Sequence, residues 1–248
     1  MELGIAGRRA AVAAATAGLG LGSAKALAAE GARVAICGRT QQRVDAAVAE
    51  LGDGAVGIVA DVSTPDGGRR FVDAAAERLG GVDILVANGG GPPAGGFAAT
   101  PFERYEPAIA QNLLSIVAMV QAATPGMCER HWGRIVAITS MTVRQPSPTL
   151  ILSNTARAGV TAFLKTVAGE VAADGITVNT IQPGLHRTDR MTELYGAAID
   201  RAADGIPARV MGDAGDFGAA VAFLCSEQAK FITGVGLHVD GGAYAGLQ

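Results

Sequence analysis

The sequence predicts an α/β protein: a doubly wound parallel sheet of about seven strands flanked by helices. Three observations predict it. Short runs that are apolar throughout alternate with longer amphipathic stretches, as strands covered by helices on both faces require. A glycine-rich turn follows the first run and opens a helix-like stretch. No internal repeat, low-complexity segment or Pro/Ser linker breaks the alternation, so the 248 residues read as one domain, 1–248.

The elements follow in order. Strands are expected at Ala10–Ala14, Arg33–Cys37, Ala55–Ala60, Ile84–Ala87, Ile135–Thr139, Thr177–Ile181 and Gly236–Val239. Helices are expected at Gly20–Glu30, Gln41–Leu51, Gly67–Leu79, Phe102–Met127, Ser153–Ala173 and Asp213–Ser226. Gly89–Gly96 carries too much glycine and proline for regular structure and reads as a loop. Leu185–Gly212 is a long connection with room for a short amphipathic helix around Met191–Ala203.

Composition narrows the function classes. The formal charge is −3, 17% of residues are charged and no basic block occurs, which argues against nucleic acid or an anionic membrane surface as a partner. Arg8-Arg9 before the apolar run Ala10–Ala24 imitates a secretion signal, but Gly18, Gly20 and Gly22 stand at turn spacing and make it a strand, a turn and a helix start. Other apolar stretches read as too short or too polar for the roughly 20 residues a bilayer span needs. Cys37, Cys128 and Cys225 are isolated, without CxxC spacing or a histidine cluster. Neither a zinc site nor a disulfide framework is expected, and a reducing cytoplasm suits the chain.

The first turn runs Ala14-Ala15-Thr16-Ala17-Gly18-Leu19-Gly20, then Gly22. Glycines there let the backbone approach a pyrophosphate at the positive end of a helix; tight packing is the other use of such a turn. Further motifs follow in order: Asp61-Val62, Ala87-Asn88-Gly89-Gly90, Asn112, Ser140, Pro183-Gly184 with Thr188, Thr233-Gly234 and Asp240-Gly241-Gly242. With these, the chain resembles the short-chain dehydrogenase/reductase family nearly end to end. That family has a Rossmann-type fold and a first turn reading Thr-Gly-x-x-x-Gly-x-Gly. Here Gly18 and Gly20 match, while Ala13 and Ala14 replace the first two residues.

The resemblance implies roles. Gly18, Leu19 and Gly20 would meet the pyrophosphate, Asp61 and Val62 the adenine, and Pro183, Gly184 and Thr188 the nicotinamide carboxamide, with Asn88 and Gly89 beside the cofactor. Ser140 takes the place of the catalytic serine and Asn112 that of the catalytic asparagine, where it would hold a relay water or bend its helix. The family then places a Tyr thirteen residues after the serine and a Lys four residues beyond. Counting from Ser140, those positions hold Ser153 and Arg157. A phenol can be tuned toward neutrality by a nearby cation; a serine hydroxyl cannot. Arg157 keeps the charge and can hold a ribose, clamp an anion or pair with an acid, but it cannot relay a proton.

His186, directly after the Pro183-Gly184-Leu185 turn, is the expected replacement proton donor, with a solvent-exposed loop histidine as the other reading. Tyr195 could fold in from the long loop or simply pack. Ser153 would donate a hydrogen bond or cap its helix. At the end of the second strand Gly38 stands where an acid would favour NAD, and Arg39 follows. A guanidinium there suits a 2′-phosphate, so NADP(H) is expected over NAD(H), with a solvated turn arginine as the alternative.

Met191, Leu194, Tyr195, Ile199, Ile206, Val210 and Met211 make segment 185–212 an apolar substrate loop, or pack it onto the core. Pro92 and Pro93 would stiffen the opposite wall. The expected function is an NADP(H)-dependent oxidoreductase acting on a carbonyl/alcohol of a hydrophobic or acyl-type small molecule, similar to the branch that reduces 3-oxoacyl groups, with an altered proton donor. A non-redox enzyme (dehydratase, isomerase or cyclase) and a non-catalytic nucleotide-binding protein are the alternatives. The resemblance also implies a homo-oligomer, a dimer or tetramer, for which the apolar stretch Leu113–Val120 is available.

Overall fold

A computed structural model describes residues 2–189, 191, 192, 196 and 199–247. Seven parallel strands form one sheet in the order β3-β2-β1-β4-β5-β6-β7. They are β1 (Arg9–Val12), β2 (Arg33–Gly38), β3 (Val56–Val59), β4 (Ile84–Ala87), β5 (Gly133–Ile138), β6 (Ile176–Pro183) and β7 (Gly236–Val239). The register is continuous: Val12 lies beside Ile36 on one flank and Val86 on the other, and Ala87 lies beside Ala137. Parallel strands need crossovers, and helices supply them on both faces.

One face carries α1 (Gly18–Ala29), α2 (Gln41–Leu51) and α7 (Ala214–Leu224); the other carries α3 (Pro65–Leu79), α5 (Ser115–Glu129) and α6 (Ile151–Val171). Alternate strand residues feed the two cores: Ala10, Val12, Val34 and Ile36 toward α1 and α7, Ala11, Ala35, Leu85 and Ile135 toward α3, α5 and α6. The α1–α7 contact depends on Gly22, because a methyl group there would strike the Ala214 carbonyl. For α3, Thr64 accepts from the Gly67 amide at 3.1 Å, Pro65 fills the first turn and Gly80 leaves in the left-handed conformation.

Several boundaries move for physical reasons. β1 ends at Val12 rather than Ala14, because Ala14 turns to φ +48. The stretch expected as one helix from Phe102 to Met127 is a 3-10 turn, a short α-helix α4 (Tyr105–Ile109), one π turn (Ala110–Leu114) and α5. Residues Phe102–Glu129 are also long and apolar enough by length and composition to cross a bilayer, contrary to the reading that no stretch is. Their apolar side chains serve the core instead: Ile116, Met119, Val120, Ala123 and Met127 are buried against the sheet and α3. Of Leu113–Val120, expected as an oligomer face, Ile116, Met119 and Val120 are therefore core, while Leu114 is exposed. Between 185 and 212, Met191 and Thr192 are helical, a short turn of helix spans Ile199–Ala202, and the rest of the helix expected at Met191–Ala203 falls partly outside the described residues.

Candidate active site

In an open parallel sheet the ligand crevice lies at the carboxyl ends of the strands where the strand order reverses, here between β1 and β4. A cavity of about 880 Å³ opens there, from the Ala17–Gly20 turn past Asn88 to Ser140, Ser153, Arg157 and the Pro183–Thr188 turn. A second cavity of about 690 Å³ continues over the end of β2, past Arg39, Asp61 and Val62, and shares Arg43 and the Asn88–Gly91 strip with the first. Of the residues singled out for cofactor binding or catalysis, all but Asn112 and Tyr195 line one of the two.

The turn after β1 keeps a glycine-like path through an alanine. Ala14 sits at φ +48, a left-handed conformation that costs an L-residue with a side chain roughly 1–2 kcal/mol. Its neighbours hold it there: its amide meets the Cys37 sulfur at 3.3 Å, its carbonyl accepts from Asn88 Nδ2 at 3.2 Å, and the Ala15 amide bonds the Cys37 carbonyl. Gly18 is also left-handed, and a methyl group at Gly20 would lie 2.7 Å from the Ala14 carbonyl and 2.8 Å from Asn88 Nδ2. Ala17 caps α1 without a side-chain bond, so the first amides of the helix face the cavity unshielded. A glycine-lined helix start and two joined cavities match a long ligand with phosphates in its middle.

At the far end, Arg39 and Arg43 are both exposed on the wall of the second cavity. Arg43 is the residue the sequence reading missed. It stands four residues after Arg39, and both line the second cavity where β2 turns into α2. Asp61 accepts from the Ser63 amide at 3.0 Å, and the Val62 carbonyl accepts from Ser115 Oγ at 2.7 Å, which pins the strip to α5.

The other end holds the chemistry-bearing side chains. Ser140 caps a 3-10 turn; its Oγ accepts from the Thr142 amide at 3.1 Å and from Thr142 Oγ1 at 3.0 Å. Ser153 is buried as the third residue of α6, whose N-cap is Leu150, so Ser153 does not cap that helix. Arg157 stands one turn further on, 7% exposed, and its Nη1 donates to the Ile138 carbonyl at 2.8 Å. The guanidinium is thereby tied to the end of β5, two residues before Ser140. Among the described residues, the wall of this cavity carries no tyrosine, lysine or cysteine, and its ionisable groups are Arg43, Arg157, His186 and Asp189.

His186 is not a solvent-exposed loop residue. It is 3% exposed, stands edge-on to Phe217 with ring centroids 5.1 Å apart, and lies with its Nδ1 3.3 Å from the Gly184 carbonyl. Burial pushes its pKa below the ordinary histidine value, against an opposing pull from the Gly184 carbonyl and from Asp213, Asp216 and Asp240. Burial therefore favours the uncharged ring. It also closes the base of the long segment, where residues 185–187 bond to Gly212.

Asn112 is 1% exposed inside the π turn and donates to the Ala108 carbonyl at 3.3 Å, behind the cavity rather than on its wall. Single π turns inside helices recur at functional sites. Tyr195 and Leu194 lie outside the described residues. Met191 lines the cavity, Ile199 and Ile206 are buried, and Val210 is exposed. Among the described residues, no group of three His, Cys, Asp or Glu side chains is placed to hold a metal ion.

A family model described as enoyl-(acyl carrier protein) reductase matches residues 13–244. A 3-oxoacyl-[acyl-carrier-protein] reductase of Vibrio cholerae is 34% identical over 242 residues, covering 98% of this chain and 99% of the relative. The human dehydrogenase/reductase SDR family member 4 is 34% identical over 96% of this chain and 88% of its own. A crystal structure of L-sorbose reductase from Gluconobacter frateurii, complexed with NADPH and L-sorbose, superposes with a TM-score of 0.93 at 29% identity over the full length of both chains.

Proposed function

The chain belongs to the short-chain dehydrogenase/reductase family of oxidoreductases, in a branch similar to 3-oxoacyl-[acyl-carrier-protein] reductases, and from that premise we propose that it is an NADP(H)-dependent reductase of a carbonyl substrate with an altered proton donor. The observation that carries the proposal is the pair of joined cavities, with a glycine turn in the middle, two arginines at one end and Ser140, Ser153 and Arg157 at the other.

The residues divide the work. The amides of Gly18, Leu19 and Gly20 hold the pyrophosphate at the start of α1. Arg39 and Arg43 grip a 2′-phosphate, for which a guanidinium fork is well shaped. Asp61 and Val62 flank the adenine, Asn88 and Gly89 border the middle of the cofactor, and Pro183, Gly184 and Thr188 receive the carboxamide. When bound, the nicotinamide supplies or accepts a hydride. Ser140 donates a hydrogen bond to the substrate oxygen, Ser153 leaves room where a larger side chain would stand, and Arg157 places positive charge beside the reacting group. Asn112 acts from behind, shaping the helix that backs the site. Segment 185–212 covers the substrate, with Met191 and Leu185 making an apolar wall for a hydrophobic or acyl-type molecule. Exposed Phe231 and Leu247 support the homo-oligomer, dimer or tetramer, that we assign to this cytoplasmic enzyme.

Fluorescence titration with NADPH and NADH side by side tests the proposal. NADPH should bind at least about tenfold tighter, and Arg39→Ala should weaken NADPH by roughly 10–100-fold, the worth of a hydrogen bond to a charged group, while hardly changing NADH. Equal affinity for both nucleotides would overturn the NADP(H) assignment. Binding of neither would overturn the oxidoreductase reading.

A further inference from the structure

We propose that Gln145 is a specificity-determining residue at the substrate end of the cleft. The segment after β7 fixes the orientation of its amide, and the substrate carries, beyond the reacting carbonyl, a second oxygen that accepts a hydrogen bond from it. The inference rests on the oxidoreductase reading and deepens it at that same site.

Segment 240–247, which follows β7, is a built turn. The Asp240 carboxylate accepts from the Gly242 and Tyr244 amides, each at 2.9 Å. Gly241 and Gly242 are both left-handed, and the Gly241 carbonyl accepts from the Ala208 amide at 3.0 Å. The Tyr244 ring lies against the His238 ring, with centroids 4.5 Å apart. Asp240 packs on the turn after β6, where a methyl group at Gly184 would lie 2.7 Å from its Cβ. The segment is thus tied to β7, to the Pro183–Gly184 turn and to Ala208 before it reaches residue 245.

At Ala245 this segment meets the substrate end. The Ala245 amide donates to Gln145 Oε1 at 3.0 Å, between residues 100 apart in the chain. Gln145 closes the turn that Ser140 opens. The Val143 amide bonds back to the Ser140 carbonyl, and the Arg144 and Gln145 amides bond back to the Met141 carbonyl. One hydrogen-bonded unit therefore carries the serine at one end and the glutamine at the other, and both line the first cavity.

The chemistry of the amide gives this contact its consequence. A backbone N–H only donates, so the Gln145 atom facing Ala245 is the oxygen, and the amide cannot sit the other way round. With Oε1 committed to the protein, the group left for a ligand is Nε2, which carries two donor hydrogens on an exposed side chain of the cavity wall. A donor held in one orientation sorts substrates. A carbonyl or ether oxygen beside it gains a hydrogen bond, whereas an ammonium, which also only donates, gains none and is repelled. A site built to hydrogen-bond a substrate group discriminates more sharply than an apolar wall does.

The first test uses neither nucleotide nor turnover. Hydrogen exchange of the peptide carrying the Ala245 amide is followed by mass spectrometry in the wild type, Gln145→Leu and Gln145→Glu. Leucine keeps the bulk and removes the acceptor, so exchange should quicken by roughly three- to tenfold, the worth of one neutral hydrogen bond. Glutamate keeps an acceptor, so exchange should stay at the wild-type rate. Circular dichroism shows that each variant is folded. Wild-type exchange in a folded Gln145→Leu chain overturns the inference.

The second test supplies NADPH with three ketones of one shape: cyclohexanone, cyclohexane-1,4-dione with a remote acceptor, and 4-aminocyclohexanone with a remote ammonium. Ratios of kcat/KM within each chain cancel any general change in rate. The wild type should favour the dione over the aminoketone by about tenfold or more. Gln145→Leu should lose roughly three- to tenfold of that preference, chiefly through KM. Gln145→Glu holds the segment but offers an acceptor, and should turn the preference toward the aminoketone, a reversal that a merely structural role would not produce. Equal ratios in three folded chains, or reduction of none of the ketones by a wild type that binds NADPH, overturn the inference and leave the oxidoreductase reading standing. Failure of the wild type to bind NADPH overturns that reading, while hydrogen exchange still decides how Gln145 is held.

Discussion

On the proposed reading, the two ends of the cleft both depart from the residues that the family resemblance implies, and the departures have opposite consequences. At the turn after β1, Ala13 and Ala14 replace a Thr-Gly pair, yet Ala14 follows the left-handed path and the amides of Gly18–Gly20 face the cavity. At the start of α6, Ser153 and Arg157 stand where the resemblance implies a tyrosine and a lysine, and the described wall residues include no other tyrosine or lysine. The difference lies in which atoms do the work. A phosphate cradle is made of backbone amides, so a changed side chain costs strain and leaves the function in place. A proton donor is a side chain, so changing it calls for another source of the proton.

The largest effect should come from reversing the second departure. Ser153→Tyr combined with Arg157→Lys puts a phenol beside an ammonium in a cavity with room for the ring. General acid catalysis contributes about 10²–10⁴ in rate, and reduction of saturated ketones such as cyclohexanone should rise by about that factor. Steady-state assays with the double variant measure it. A folded, NADPH-binding double variant with no gain would mean that the ends do not differ in the way described.

The same contrast explains what could be read in the sequence. The strands were legible because each is apolar throughout, and the ordered spacing of the motifs placed fifteen of the sixteen named residues on the two cavities. Asn112 lines neither cavity and is buried inside a π turn, a feature that helical periodicity does not reveal. Arg43 was missed because it lies inside the second helix, and only the turn from β2 into α2 puts it on the cavity wall. His186 looked like a loop residue because its burial comes from Phe217 and Gly212, both remote in sequence. Backbone paths and local runs can be read along the chain; meetings between distant side chains cannot.

Reversing the first departure should have a smaller effect and a different readout. Ala14→Gly releases the strain of φ +48. Glycine also gains freedom in the unfolded chain, which offsets part of the benefit. The expected net is a gain of about 1 kcal/mol, which for a domain of this size raises Tm by about 2–4 °C, with NADPH affinity unchanged or modestly better. Calorimetry with and without NADPH reads both. A loss of stability would mean that the Ala14 methyl group packs better than its backbone is strained.

The smallest effect separates packing from proton transfer at His186. In the unfolded chain its imidazole takes up a proton near the ordinary value of about 6.5. In the folded chain, desolvation against Phe217 delays that uptake to lower pH, despite the pull of Asp213, Asp216 and Asp240. Between the two values the unfolded state binds more protons, so stability rises with pH. The contribution is fully present above about pH 6.5 and is lost as pH falls through the lower, folded-state value, at about 1.4 kcal/mol for each unit by which the two differ. His186→Gln removes the titration, so the fall in Tm between about pH 7.5 and about pH 5 should be shallower in the variant than in the wild type. Turnover of a carbonyl substrate at about pH 7.5 should change little, because the ring packs edge-on to Phe217 with Nδ1 at the Gly184 carbonyl. A steep loss of rate with unchanged Tm slopes would reverse the assignment and make His186 the donor that the changed α6 no longer supplies.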